Sequence, residues 1–135
     1  MTSGESIREP CPGFGLVIVH IAPRQDWEAA LPGGRYTADS LATEGFIHCS
    51  ETRQVIAVAN ARFKGHPHLV LLWIDPSRLS SPVRYENLEG GADRFPHIYG
   101  PLNVDAVVDV TPFAPSADGL FDRAQLSRGV TSADL

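Results

Sequence analysis

Basic residues are scarce in this chain of 135 residues, and no long apolar run occurs. There are 11 Lys and Arg residues against 16 Asp and Glu residues, which gives a formal net charge of −5 at pH 7. Broad nucleic-acid binding depends on Lys and Arg neutralising many phosphates, so this composition argues against it. A local basic residue could still hold one phosphate group.

Cysteine is also scarce, since only Cys11 and Cys49 are present. Two cysteines imply no disulfide framework, and free thiols fit a reducing compartment. No segment reaches the ~18 consecutive apolar residues that a membrane helix requires. The polar N-terminus lacks the apolar run of a secretory signal. We therefore expect a cytoplasmic protein that does not bind membranes.

The common loops for phosphate and the common ligand sets for metals are absent from the sequence. No Walker loop and no Gly-x-Gly-x-x-Gly turn follows a predicted strand, so any nucleotide must be held by other means. His48 and Cys49 are adjacent and would point to opposite faces of an extended segment. His66 and His68 flank Pro67 in a predicted loop. We therefore expect no metal site.

Length and composition predict one domain with a single core. The Pro- and Gly-rich residues 1–15 are predicted to be a flexible leader. The domain is predicted to span residues 16–112, and residues 113–135 are predicted to be a tail with a short helix near 121–128.

The apolar periodicity predicts an α+β domain with two main helices. One helix is expected from Pro23 to Leu31, and the other at residues 50–63 with Ser50 as its N-cap. Strands are expected at residues 16–21, 46–48, 69–74, 83–86 and 104–110. Residues 35–43 are expected to be irregular or to form short extended structure, and Trp27 and Trp73 are expected in the core.

Reactive side chains are concentrated at residues 44–50, which read Glu-Gly-Phe-Ile-His-Cys-Ser. The two-residue period of a strand puts His48 and Ser50 on one side and Cys49 on the other. A nucleophilic role for Cys49 would need an adjacent base and an electropositive setting. The alternation favours a buried, inert thiol instead. His48 is open to either a core role or a site role.

A second polar cluster lies at residues 95–101, which read Phe-Pro-His-Ile-Tyr-Gly-Pro. Its Pro and Gly content predicts an irregular loop, with His97 and Tyr99 on one side if the loop is extended. Ordinary turn architecture would also explain the Pro and Gly residues. Glu86 lies on a short predicted strand, where its role depends on the placement of the sheet.

These motifs resemble the bacterial domain of unknown function 952 family. The resemblance is strongest at residues 40–50, Ser-Leu-Ala-Thr-Glu-Gly-Phe-Ile-His-Cys-Ser, and at residues 95–102, Phe-Pro-His-Ile-Tyr-Gly-Pro-Leu. It covers most of the chain except the leader and the tail. The family has no established activity, but it resembles the ADP-ribosyltransferase fold of RNA 2′-phosphotransferases and mono-ADP-ribosylating toxins.

The resemblance implies a split, mixed sheet around a cleft for NAD or an ADP-ribose-like nucleotide. It implies ligand-binding roles for His20, Ser40, Glu44, Ser50 and Tyr99. For ribosyl transfer it implies that Glu86 stabilises an oxocarbenium-like centre, while His48 or His97 handles protons. The sequence shows no clear counterpart of the phosphotransferases' basic residues. The same groups would also suit a non-catalytic module that binds a small ligand or a partner.

Overall fold

The computed structural model describes residues 17–88 and 91–126, so the predicted leader lies outside the described residues. In chain order the strands are β1 (Ile18–Pro23), β2 (Arg35–Tyr36), β3 (Ile47–His48), β4 (Ser50–Glu51), β5 (Leu69–Ile74), β6 (Val83–Glu86), β7 (Phe95–Ile98), β8 (Leu102–Asn103) and β9 (Val107–Phe113). The helices are α1 (Arg24–Ala30), α2 (Asp39–Glu44) and α3 (Thr52–Arg62). Short 3₁₀ turns occur at Leu31–Gly33, Pro76–Arg78, Val104–Ala106 and Arg123–Leu126.

The strands divide among three small sheets in an α+β arrangement. The first sheet has the order β9-β5-β1-β4, the second pairs β2 with β8, and the third has the order β3-β7-β6. The sheet is split as expected, but every pairing of these strands is antiparallel rather than mixed. No helix within residues 17–88 and 91–126 has the length and apolar character needed to span a bilayer.

The first sheet is central because both of its faces are covered. All six residues of β5 are buried, as its uninterrupted apolar run predicts. One face packs against α3 through residues such as Val55 and Ala59. The other face packs against α1 and the third sheet, with Trp27 and Ile98 in that part of the core. Trp27 and Trp73 are both buried, which confirms their predicted place.

Both predicted helices are present, with corrected starts. Pro23 ends β1 instead of opening the first helical turn, and α1 begins at Arg24. Ser50 was expected to cap the second helix, but it belongs to β4, and the N-cap is Glu51. The Glu51 side chain accepts from the Gln54 N–H, while the Gln54 side chain bonds back to the Glu51 N–H. This reciprocal box satisfies two helix-end donors, so Ser50 is not needed as a cap.

Three other segments differ from the sequence-based expectation. Residues 35–43 contain the short strand β2, which agrees with the extended alternative, but they also contain the start of α2, which was not expected. The segment Phe95–Ile98 is a strand at the centre of the third sheet, not a loop. The last strand begins at Val107, because Val104–Ala106 forms a 3₁₀ turn.

The chain after residue 112 continues to pack on the domain. The predicted boundary at residue 112 falls inside β9, whose last residue, Phe113, is fully buried. Phe121 is also buried, and its ring stacks on Phe113 with 4.7 Å between centroids. Asn60 of α3 bonds the backbone of Phe121 in both directions, at 2.8 and 3.1 Å. A 3₁₀ turn at Arg123–Leu126 replaces the described part of the expected helix.

We expect Phe121→Ala to lower the free energy of unfolding by about 3–5 kcal/mol, because it removes a buried ring and leaves a cavity against Phe113. Urea denaturation measures this loss. The neighbouring Leu120 is 40% exposed, so Leu120→Ala should change stability by no more than ~0.5 kcal/mol. Equal, small effects of the two variants would contradict the packing of this segment.

Candidate functional site

The site is created where the chain crosses from the third sheet to the first. In β3, His48 pairs with His97 of β7, whereas in β4 Ser50 pairs with Val19 of β1. Between them, the N–H of Cys49 donates to the carbonyl of Pro96 at 3.0 Å. Because β4 covers only the first two residues of β1, the rest of that edge has no strand partner among the described residues. A cleft of about 330 Å³ lies along it.

Most of the predicted site residues line this cleft. They are His20, Ser40, His48, Ser50, Glu86 and His97. The other two, Glu44 and Tyr99, are not among its lining residues. Each instead contacts a residue that is, since Glu44 lies beside His48 and the Tyr99 hydroxyl donates to Glu86. The structure therefore brings six of the predicted residues together and places two behind them.

His20 is held by protein groups at both ring nitrogens. Its Nδ1 lies 2.6 Å from the carbonyl of His48, which can only accept, so Nδ1 carries the proton. Its Nε2 therefore accepts from the Tyr36 hydroxyl at 3.0 Å. Burial lowers the pKa of His20 to about 4, although its bond to His48 opposes that shift. His20 is thus a neutral residue that positions Tyr36 and β3.

The side chain of Ser40 is also hydrogen-bonded within the protein. It lies on α2, which ends at Gly45 with a φ of +91°, a conformation that suits glycine. The Ser40 hydroxyl donates to the carbonyl of Phe46 at 2.7 Å. This contact fixes the turn that leads into β3. By contrast, the buried Ser50 hydroxyl has no hydrogen-bond partner among the described residues and remains open to the cleft.

A carboxylate and an imidazole meet on the third sheet. The buried Nδ1 of His97 has no hydrogen-bond partner within residues 17–88 and 91–126, and it lies 3.8 Å from Oε1 of Glu86. Desolvation, followed by the proximity of His48, lowers the pKa of His97, while Glu86 opposes the shift. The hydrogen bond to Glu86 raises the pKa of Tyr99, so the phenol remains a donor to that carboxylate. His97 is therefore a neutral imidazole beside an anchored carboxylate.

His48 shares the same face of the sheet and is more accessible. Its Nε2 lies 3.3 Å from both oxygens of Glu44, and its side chain is 38% exposed. The rings of His48 and His97 are 5.5 Å apart, and Phe46 packs edge-on against both. Phe46 therefore sets the spacing of the two imidazoles.

Cys49 packs into the core, as the strand alternation predicts, and it is also among the residues that line the cleft. It is 4% exposed and packs in the same apolar cluster as Ile47 and Ile98. Burial raises the pKa of the thiol, which disfavours the thiolate needed for nucleophilic chemistry.

Several cleft residues were missed at the level of sequence. Tyr36 is buried beside Trp27 and donates a hydrogen bond to His20. The residues around it in the sequence give no indication that it belongs to a polar site. The sequence predicts no site role for Asp26, Asp39 or Arg62, but all three line the cleft. Within the described residues, no three His, Cys, Asp or Glu side chains are grouped so as to hold a metal.

Known proteins resemble this chain in both sequence and structure. The model of a family described as "Protein of unknown function (DUF952)" matches residues 21–110, which is more than half of the chain. The chain belongs to this family. The DUF952 match includes both polar motifs. No curated protein matches the chain.

Structures of protein CC0527 from Caulobacter crescentus show the same fold. Its crystal structure is 33% identical, with a TM-score of 0.73 over 82% of this chain and 96% of that protein. Its solution NMR structure is also 33% identical, with a TM-score of 0.72 over 83% and 97% of the two chains. The DUF952 fold described here is therefore shared by an experimentally solved relative.

We expect His20 to stay neutral in the folded protein from pH 8 down to about pH 5, because its pKa is about 4. The unfolded chain, with a His pKa near ~6.5, binds this proton first. The stabilisation is therefore complete above pH ~6.5 and is lost as the pH falls toward 4, by about 3 kcal/mol in total. A proton NMR titration of the His20 ring tests this, and a midpoint near pH 6.5 would contradict it.

We expect Cys49 to react slowly with iodoacetamide in the folded protein, because it is buried and its thiolate is disfavoured. The Cys11→Ser variant isolates this thiol. Its labelling rate near neutral pH should rise by at least about tenfold on unfolding in urea. Equal rates in folded and unfolded protein would restore Cys49 as a candidate nucleophile.

Proposed function

We propose that the cleft binds NAD or an ADP-ribose-like nucleotide and that the protein catalyses ribosyl transfer from it. The observation that carries this proposal is the convergence of Glu86, His97, His48 and Ser50 in one cleft. The proposal includes a fold related to that of the ADP-ribosyltransferases. A His-x-Ser segment that crosses between two antiparallel sheets supports this part of it. A cytoplasmic location fits the free thiol of Cys49.

The cleft has walls suited to the parts of such a ligand. Aromatic rings of Tyr36, Phe63 and Phe95 line it and can pack against a nicotinamide or adenine ring. Arg62 also lines it, and under this proposal it supplies the basic side chain for a phosphate. A guanidinium suits a phosphate because it can donate two parallel hydrogen bonds.

In the proposed reaction, the bond between the ribose anomeric carbon and the pyridinium nitrogen breaks. The electron pair goes to the ring, so nicotinamide leaves as a neutral molecule without needing an acid. Positive charge develops on the ribose, and the carboxylate of Glu86 stabilises it. The acceptor hydroxyl then bonds the anomeric carbon, and its proton passes to His97 or His48.

The arrangement of Glu86 gives these groups their roles. The Tyr99 hydroxyl holds one carboxylate oxygen, which restricts the side chain to a single orientation. His97 is neutral by burial and can therefore accept a proton. Ser50 is free to bond a ribose hydroxyl because no described residue occupies its own hydroxyl. An anchored carboxylate and a neutral base are what a ribosyl transfer requires.

The same geometry also suits a second function, recognition without turnover. Glu86 is already bonded to Tyr99 and lies near His97, an arrangement that equally fits a rigid binding surface. In that case the cleft would bind a nucleotide or another small ligand and release it unchanged.

We expect calorimetry to show binding of NAD or ADP-ribose at millimolar concentration or below, and Glu86→Gln to keep that binding while lowering ribosyl transfer by about 10²–10³-fold. The matched control is Glu28→Gln, on an exposed residue of α1 outside the cleft. Absence of binding by NAD, ADP-ribose and nicotinamide would refute the nucleotide proposal. Binding without turnover in any variant, wild type included, would favour recognition.

A further inference from the structure

The charges of the cleft are unbalanced. Three carboxylate residues line it, namely Asp26, Asp39 and Glu86. Of the described residues that line the cleft, Arg62 is the one whose side chain is always positively charged. Burial is the main cause of the raised pKa of Tyr36, and the carboxylates of Asp26 and Asp39 add to it, so their field reaches the wall of the cleft. The cleft is therefore electronegative on balance.

The buried imidazoles do not offset this charge. His20 and His97 are both held neutral near physiological pH by desolvation. His48 faces the carboxylate of Glu44 at 3.3 Å, which adds a further negative group just outside the cleft wall. The phosphates of a nucleotide would therefore lie on the side of Arg62, away from these carboxylates.

We propose that the cleft selects a positively charged aromatic ring, such as an N-substituted pyridinium, and that phosphates of a larger ligand stay outside its electronegative part. The inference rests on the proposed function in taking a ribosylated ring as the ligand, and it specifies which part of that ligand is recognised. Tyr36 and Phe95 are among the residues that line the cleft, and a cation gains from contact with an aromatic ring.

An unpartnered buried group points to the same place. His97 is 3% exposed and lines the cleft, and its Nδ1 has no hydrogen-bond partner in the part of the chain that the structure describes. A buried polar atom of this kind is normally satisfied, so its state favours a ligand or water nearby. Glu86 lies 3.8 Å from this atom, which gives the polar end of the site a carboxylate.

The test compares two ligands that differ mainly in charge. 1-Methylnicotinamide is a pyridinium cation, whereas nicotinamide is neutral and nearly the same size. We expect calorimetry at low ionic strength to show about tenfold tighter binding of the cation. Raising NaCl to 0.5 M should reduce this preference toward about threefold, because salt screens charges in a solvent-accessible cleft. This comparison of the two ligands uses the wild-type protein alone.

Charge-neutralising variants locate the source of the preference. Asp26→Asn and Asp39→Asn should each weaken binding of the cation by about threefold and leave nicotinamide unchanged. Both residues are exposed at the starts of short helices, so the fold should tolerate the change. Glu28→Gln removes the same charge from α1 away from the cleft and should have no effect.

The outcomes separate this inference from the proposed reaction. Equal binding of the two ligands, tighter binding of nicotinamide, no binding of either, or an unchanged preference in both Asp variants would overturn the inference. Ribosyl transfer from NAD is measured separately. A clear cation preference without turnover would refute the proposed catalysis and support the selectivity. Turnover without the preference would support the catalysis and refute the selectivity.

Discussion

The hydrogen bond from His20 to the carbonyl of His48 joins two sheets at the point where the chain leaves one for the other. At 2.6 Å it is the side-chain contact that fixes β3 against β1. Because it takes the Nδ1 proton, it also decides that Nε2 accepts from Tyr36, and so it sets the wall of the cleft. The placement of His48, His97 and Phe46 follows from where β3 is held. Removing the imidazole would leave a backbone carbonyl and a buried phenol without partners.

Much of the site could be predicted because its signals are local. The alternation along residues 46–50 correctly predicts that Cys49 packs in the core with Ile47, since a strand reverses side-chain direction at each residue. The apolar run of β5 and the periodic face of α3 likewise predict elements that the structure contains. The resemblance to DUF952 groups residues that are far apart in sequence, and the structure places six of those eight residues in the lining of one cleft.

What could not be predicted depends on contacts between distant segments. The strand Phe95–Ile98 was read as a loop because Pro disfavours strand interiors, but pairing on both sides holds it extended. Tyr36 becomes part of the site only because β2 pairs with β8 and brings it to His20. Arg62 reaches the cleft through the length of α3. No local pattern contains such information.

Pro96 gives the crossing its exact location. In an antiparallel ladder, the two residues of each hydrogen-bonded pair exchange two hydrogen bonds. Pro96 has no N–H, so its pairing with Cys49 is limited to the bond that its carbonyl accepts. The ladder of the third sheet cannot continue past this peptide as a regular one, which leaves the following residues to join β1. The missing N–H of Pro96 thus marks where the third sheet ends and the chain joins the first. The cleft beside that point is a consequence of this chain path and not a defect in packing.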